Sequence, residues 1–256
     1  MLFRSEQCVI ECSTKLAPLF RRSFQKATIV VGDQTNPDLS YLQSQPAIDC
    51  QVAAGSLPGI YRRELRDFPQ EVGYLRADAA AIQRWKERLA GTGVDDRLHI
   101  GLSWRGGVQS TNQTGRSVPV EAIKSLLALR RFDFVSLQYG AQAADLALLN
   151  AGSAAGVLDW PEAHTVFDET AALVAALDLV ITVDTTIAHL AGALGKPTWV
   201  MVPHNPEWRY LCEGRTMPWY PTMRLFRRRR GRDWADTIAE IAHALETWQA
   251  AAGERN

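Results

Sequence analysis

The sequence predicts an α/β protein built on a parallel, doubly wound sheet. Three observations predict it. Strand-like and helix-like stretches alternate through the last two-thirds of the chain. The strand-like run Asp178–Val183 (DLVITV) is β-branched and nearly without a polar face, as in a parallel strand buried on both sides. The run is followed at once by the helix-like stretch Thr185–Leu194, stopped by Gly195.

The elements read in order as follows. Gln7–Glu11 and Thr28–Val31 are strand-like, with a helix near Leu16–Phe20 between them, and Asp49–Val52 reads as a third short strand. Gly55-Ser-Leu-Pro58 marks a turn. Ala79–Leu89 places Ile82, Trp85 and Leu89 on one helical face, and Gly91-Thr-Gly93 reads as a linker. Leu98–Trp104 is a strand. Pro119–Leu129 is a helix with proline at its first position. Phe132–Gln138 is a strand, Ala141–Asn150 a helix and Gly156–Leu158 a short strand. Phe167–Leu177 is a helix with Asp168 as its cap, and Pro197–Val202 is a further strand. Trp234, Ile238, Ile241, Leu245 and Trp248 recur every three or four residues and predict a closing helix with one apolar stripe.

Composition narrows the function. The 256 residues are 46% hydrophobic and 22% charged, the make-up of a globular protein. Lys+Arg and Asp+Glu both total 28, so bulk attraction to nucleic acid or anionic lipid is not expected. The run Arg227–Arg230 with Arg232 is the one strong basic block. It reads as a solvated turn more readily than as a nucleic-acid contact. Cysteines 8, 12, 50 and 212 form no disulfide framework or zinc spacing. No export signal or membrane span is visible, and a cytoplasmic location is expected.

The chemistry concentrates at two strand-to-helix junctions. In Val183-Asp-Thr-Thr-Ile-Ala-His189 a buried strand ends where a helix begins, and ligands of such sheets bind at the carboxyl ends of the strands. Free amides at the helix start attract phosphate. Asp184 can accept from sugar hydroxyls, and His189 lies one turn beyond Thr185 on the same face. The same residues can also serve only as a cap and a packed histidine. The second junction, Gly101-Leu-Ser-Trp-Arg-Gly-Gly107, leads through a polar loop to Gly115-Arg-Ser-Val-Pro119. There Ser103, Arg105 and Arg116 can hold a diphosphate, or the loop can be plain surface. The aromatic-rich stretch from Pro203 to Pro221, with Trp208, Tyr210, Trp219 and Tyr220, reads either as a sugar or base pocket or as a cluster pinning the loop. Hydrolase, dinucleotide and P-loop fingerprints fail on spacing, and no paired histidine or D-x-D spacing suggests a metal.

Leu179 to Trp199 resembles the donor-site signature of bacterial heptosyltransferase-like glycosyltransferases, and in particular the glycosyltransferase regions that follow tetratricopeptide repeats. The strings Gly101–Gly107, Val135-Ser-Leu-Gln-Tyr-Gly140, Asp168–Ala172, Pro206-Glu-Trp-Arg209 and Met217–Thr222 also resemble that family. The resemblance implies a GT-B-like fold of two Rossmann-like domains. Residues 1–92 would be a partial, acceptor-side domain, residues 93–233 the nucleotide-sugar domain, and residues 234–256 a helix packing back toward the first domain. It implies a metal-independent, inverting sugar transfer from a nucleotide-diphosphate sugar, with no other cofactor. Asp184 would bind donor hydroxyls. Thr185 and Thr186 would contact the diphosphate, supported by His189, and Ser103, Arg116 and Gln138 would line the donor site. Arg105 is added on its charge and its neighbouring glycines.

The sequence departs from the family at its start. Relatives open with a strand, a glycine-rich loop carrying an acidic residue, and a helix. Here the match begins at the second strand, Cys8–Cys12, and no tetratricopeptide repeat precedes it. The expected amino-terminal domain is therefore incomplete, and the acceptor-activating acid has no counterpart. Glu11, Asp33 and Asp49 are available carboxylates, none singled out. A homodimer or partner chain completing this domain is expected, and a non-catalytic nucleotide-sugar-binding module is the alternative reading.

Overall fold

The computed structural model describes residues 7–32, 43, 48–92, 97–107, 113–140, 143–152 and 156–253. Asp33, Gly93, the loop 108–112 and the start of the expected helix at Ala141 lie outside the described residues. At the centre is a six-stranded sheet, all parallel, of β3 (Leu98–Ser103), β4 (Phe132–Ser136), β5 (Val157–Leu158), β6 (Leu179–Val183), β7 (Thr198–Val202) and β8 (Met223–Arg227). Their spatial order is β5-β4-β3-β6-β7-β8. The chain winds outward from β3 to one edge, returns to β6, and winds to the other. β3 and β6 therefore flank the point where the winding direction reverses, where such sheets open a crevice for ligand.

Burial explains why the strands read as they do. All five residues of β6 and of β7 are buried. Every residue of β6 must therefore be apolar or internally bonded, and its single polar side chain, Thr182, donates to the Val183 carbonyl at 2.9 Å. One face of the sheet packs Ile100, Leu102, Phe134, Ile181 and Met201 beneath α5 (Val120–Lys124), α6 (Ala143–Asn150) and α10 (Trp234–Gly253). The other packs Val135, Leu137 and Val180 against α8 (Phe167–Ala176) and α9 (Thr186–Ala193).

The amino-terminal elements precede the sheet in the chain, and two of their helices dock on α8. These elements are β1 (Cys8–Cys12), paired in parallel with β2 (Ala27–Val31), and the helices α1 (Ala17–Ser23), α2 (Leu57–Tyr61) and α3 (Ala79–Ala90). α8 carries Asp168 and Glu169 in its first turn, and α7 (Glu162–Thr165) precedes it. Arg22 on α1 donates twice to Asp168, at 3.0 and 2.6 Å. Trp85 on α3 donates its indole N–H to Glu169 at 2.9 Å, and Arg84 pairs with the same carboxylate. Carboxylates at a helix start are favoured by its dipole, so one turn both stabilises α8 and anchors two other helices. Asp168, read from sequence as a cap, makes this anchor instead; the helix cap is Val166.

Several other expectations differ from the fold. Residues 49–52 form no strand; Ile48 and Val52 stay exposed at 46% and 42%, so nothing covers an added strand. Gly55–Pro58 lies in a 3-10 turn that runs directly into α2. The apolar stripe of α10, Trp234, Ile238, Ile241 and Leu245, joins the core beneath β3, β4, β6 and β7. It lies on the face opposite α3, whereas the expectation sent it toward the amino-terminal portion. β8 was hidden in the sequence because it runs into the arginine block. No described helix is long and apolar enough to cross a membrane.

Gly192 shows how tightly α9 is seated. A Cβ there would lie 2.4 Å from the Tyr220 ring. Alanine gains helix propensity of up to about 1 kcal/mol, but overpacking costs about 1–3 kcal/mol. Gly192→Ala is expected to lower the thermal midpoint by several degrees in a calorimetric scan. An unchanged or raised midpoint would show that the ring gives way without cost.

Candidate functional site

The loops leaving β3 and β6 meet at the switch point. Asp184, the first residue after β6, is buried, with its side chain 1% exposed. Arg116, at the end of the short helix α4 (Gln113–Arg116), donates from Nε to Asp184 Oδ1 at 3.0 Å and from its terminal nitrogen to the Asp184 carbonyl. The other carboxylate oxygen, Oδ2, is buried without a partner. Burial pushes the Asp184 carboxyl above its ordinary range, and Arg116 opposes that shift. The loops can approach this closely because residue 106 is glycine: a Cβ there would lie 3.1 Å from Val183 and 3.2 Å from Thr185.

Thr185 takes the N-cap position of α9 but makes no capping bond with its side chain. Its hydroxyl lies 3.3 Å from that of Thr182. No side-chain cap therefore takes the amides at the start of α9, and Thr186 begins the helix. His189 lies one turn on, with Nδ1 3.3 Å from the Tyr220 hydroxyl. Burial, with Arg209 nearby, lowers its pKa to about 4, so the imidazole is neutral at pH 7 and can polarise or accept without carrying charge.

The β3 side is arranged differently. Gln138 Oε1 accepts from Ser103 Oγ at 3.2 Å, the Trp104 amide at 3.0 Å and the Arg105 amide at 2.8 Å. Ser103 and Gln138 thus bond each other and hold the loop after β3 in place. Arg105 makes a double contact with Asp145, at 2.5 and 2.6 Å, and Trp104 donates its indole N–H to the same carboxylate at 3.0 Å. These contacts hold the Asp145 carboxyl below its usual range. Arg105 therefore already has an acid partner. The structure brings Arg116, Asp184, Thr185, Thr186 and His189 together, and sets Ser103, Arg105 and Gln138 in a bonded frame beside them.

Residues of the loop after β7 and of the arginine block complete the surroundings. Glu207 pairs with Arg209 at 2.7 Å. Tyr210 is 1% exposed; its ring lies 6.0 Å from that of His189, and its hydroxyl is buried without a partner. Arg227, the first of the arginine block, donates to the carbonyls of Tyr210, Leu211, Glu213 and Gly214. It pins this loop and is not a free basic surface residue. Arg228 lies over the Trp234 ring at 5.0 Å. Asp145 and Arg105 are 40 residues apart, and no spacing in the sequence signals their pairing. Tyr210 stood in the aromatic loop, where the residues alone favour packing over binding.

A cavity of about 230 Å³ opens between residues 62–68 and residues 208–219. Arg62, Arg63 and Phe68 line one wall, and Trp208, Arg209 and Trp219 the other. Among the described residues no group of three His, Cys, Asp or Glu side chains is placed to hold a metal ion.

Residues 161–204, which span α7 to β7 and contain Asp184 and His189, match the model of glycosyltransferase family 9 (heptosyltransferase). The similarity to the heptosyltransferase family model lies in this segment. The chain is 29% identical over 246 residues to Protein FlbA of Caulobacter vibrioides, a match that takes in 92% of this chain and 40% of FlbA. The chain thus spans about two-fifths of that relative. Among solved structures it is similar to ADP-heptose lipopolysaccharide heptosyltransferase II of E. coli, with 17% identity and a TM-score of 0.52 over 75% of this chain and 59% of that one. It is also similar to a family 9 glycosyltransferase of Veillonella parvula, with 12% identity and a TM-score of 0.54 over 71% and 55% of the two chains. The fold is GT-B-like.

The geometry makes two predictions. Arg116→Met strands a buried carboxylate, which costs about 1–3 kcal/mol at neutral pH after discounting for the partial exposure of the arginine. Because the Asp184 pKa is raised in the folded state, its protonated form is favoured there. The stability deficit of Arg116→Met against the parent protein should therefore be small near pH 4 and grow toward pH 7. Denaturant unfolding at both pH values reads this directly, and a deficit that does not change with pH would contradict it. His189 has a lowered folded pKa, so its contribution to stability is present above about pH 6.5 and is lost as pH falls through about 4. Its ring proton should show no NMR inflection above about pH 5; a titration near 6.5 would contradict the burial argument.

Proposed function

We propose that this chain supplies the donor site of a metal-independent, inverting glycosyltransferase that uses a nucleotide-diphosphate sugar. The observation that carries the proposal is the buried Asp184–Arg116 pair at the sheet's switch point, beside the amides that begin α9. A nucleotide-diphosphate sugar carries both partners that this pair needs. Its diphosphate attracts the guanidinium and the helix start, and its hydroxyls can donate to Asp184. Binding then exchanges one ion pair for two complementary contacts.

In this reading the acceptor hydroxyl oxygen attacks the anomeric carbon from the side of residues 62–68. The anomeric carbon–oxygen bond to phosphate breaks with inversion, and its electron pair leaves on the diphosphate. Arg116 and the α9 amides stabilise that developing charge. The acceptor proton passes to a base that is not assigned. Glu11 and Asp49 are both exposed, and nothing about either singles it out. The cavity walled by Arg62, Phe68 and Trp208 is the proposed path of the acceptor. Ser103 and Gln138 act by shaping the loop after β3. Residues 1–92 form the acceptor-side portion and residues 93–233 the donor domain. A homodimer or a partner chain that completes the amino-terminal portion belongs to the same proposal; light scattering should then give more than the 28.4 kDa of one chain.

The test is equilibrium binding and turnover with UDP-, GDP- and ADP-sugars. The protein should bind at least one, and Asp184→Ala should weaken that binding at least tenfold. Release of sugar or transfer to water or acceptor identifies an enzyme. Binding without turnover under any condition supports a non-catalytic nucleotide-sugar module. Absence of binding to all three nucleotide classes overturns the site.

A further inference from the structure

We infer that Tyr210 is a sugar-recognising residue of this site, its hydroxyl and Asp184 Oδ2 gripping one hydroxyl of the bound sugar between them. The inference rests on the donor-site reading above and adds to it a residue and a division of labour.

Two buried polar atoms near the switch point lack partners: Asp184 Oδ2 and the Tyr210 hydroxyl. Each belongs to a side chain almost wholly removed from solvent. They do not bond each other. Leaving either unsatisfied is costly, and native structures rarely tolerate it without a reason. The two atoms are chemically complementary to a third group placed between them. A phenol donates, a carboxylate oxygen accepts, and an alcohol can accept from the first while donating to the second. A phosphate can accept from the phenol but has no proton for the carboxylate, and would be repelled by it. The pair therefore selects a hydroxyl over an anion.

The surroundings fix Tyr210 in that role. Its ring lies against His189, and its backbone carbonyl is held by Arg227 at 2.5 Å. Burial and the neighbouring Asp184 carboxylate both push the phenol pKa up, so it stays protonated and able to donate. Asp184 is also in contact with Arg116, whose side chain is 24% exposed against 1% for Asp184. When a diphosphate draws Arg116 away, the carboxylate opens toward the sugar. Arg116 thus answers to the diphosphate, and Tyr210 with Asp184 answers to the sugar.

Tyr210→Phe removes the hydroxyl and keeps the ring. Binding is measured by calorimetry with UDP, GDP and ADP, and with UDP-glucose, UDP-N-acetylglucosamine, GDP-mannose and ADP-glucose. The variant should bind the diphosphates as the parent does and bind the preferred nucleotide-sugar roughly three- to tenfold more weakly. Its thermal midpoint should be unchanged or raised, since an unpaired buried hydroxyl has been removed. In an Asp184→Asn background the loss from Tyr210→Phe should shrink, because both residues hold the same group. Equal weakening toward diphosphate and nucleotide-sugar would overturn the inference and point to a purely structural tyrosine. So would unchanged nucleotide-sugar binding, or losses that simply add. If the parent protein binds none of these probes, the donor-site reading falls, and this inference with it.

Discussion

A buried carboxylate held by one arginine at the reversal point of the sheet is the constraint on which the site depends. β6 is buried on both faces, so its carboxyl end is the first place where the chain can present a polar group. Asp184 stands there, and a lone ionised carboxylate would be expensive. Arg116 offsets that cost, and the closeness of the two loops follows from Gly106. The pair leaves one oxygen unsatisfied. The proposed donor site rests on that unmet bonding.

The neighbouring pair, Arg105 with Asp145, shows the contrast. It has the same residue types, but the carboxylate also accepts from Trp104, and both of its oxygens are used. Such a pair fixes the loop after β3 and has nothing left to offer a ligand. Gln138 does similar work, drawing three donors onto a single oxygen. The two junctions thus differ: the β3 side is a bonded frame, and the β6 side keeps an unpaired carboxylate oxygen.

The parallel sheet was legible because β6 is apolar but for Thr182, as burial on both faces requires. Asp184, Thr185 and His189 drew attention because they sit at a strand-to-helix junction, and the structure has that junction between β6 and α9. Arg116 came into view only as a cation in the facing loop; its partner is 68 residues away. β8 escaped because its residues run into the arginine block, and what packs them is the neighbouring β7. The acids of α8 looked like caps, since a helix start favours carboxylates whatever else they do; that they anchor α1 and α3 depends on arginines and a tryptophan far off in the chain. Tyr210 was named only as one of four loop aromatics. An aromatic loop residue reveals its value only when its hydroxyl is seen to be buried and unpaired.

The most direct test of this account follows the Arg116 Nε–H signal by NMR while UDP, GDP or ADP is added. In the free protein that proton is held by Asp184. The account predicts a saturable shift with at least one of the three diphosphates, as the guanidinium trades carboxylate for phosphate. A signal unmoved by all three, at concentrations up to the millimolar range, would mean that Arg116 is a fixed structural partner of Asp184, and the exchange at the heart of this account would not occur.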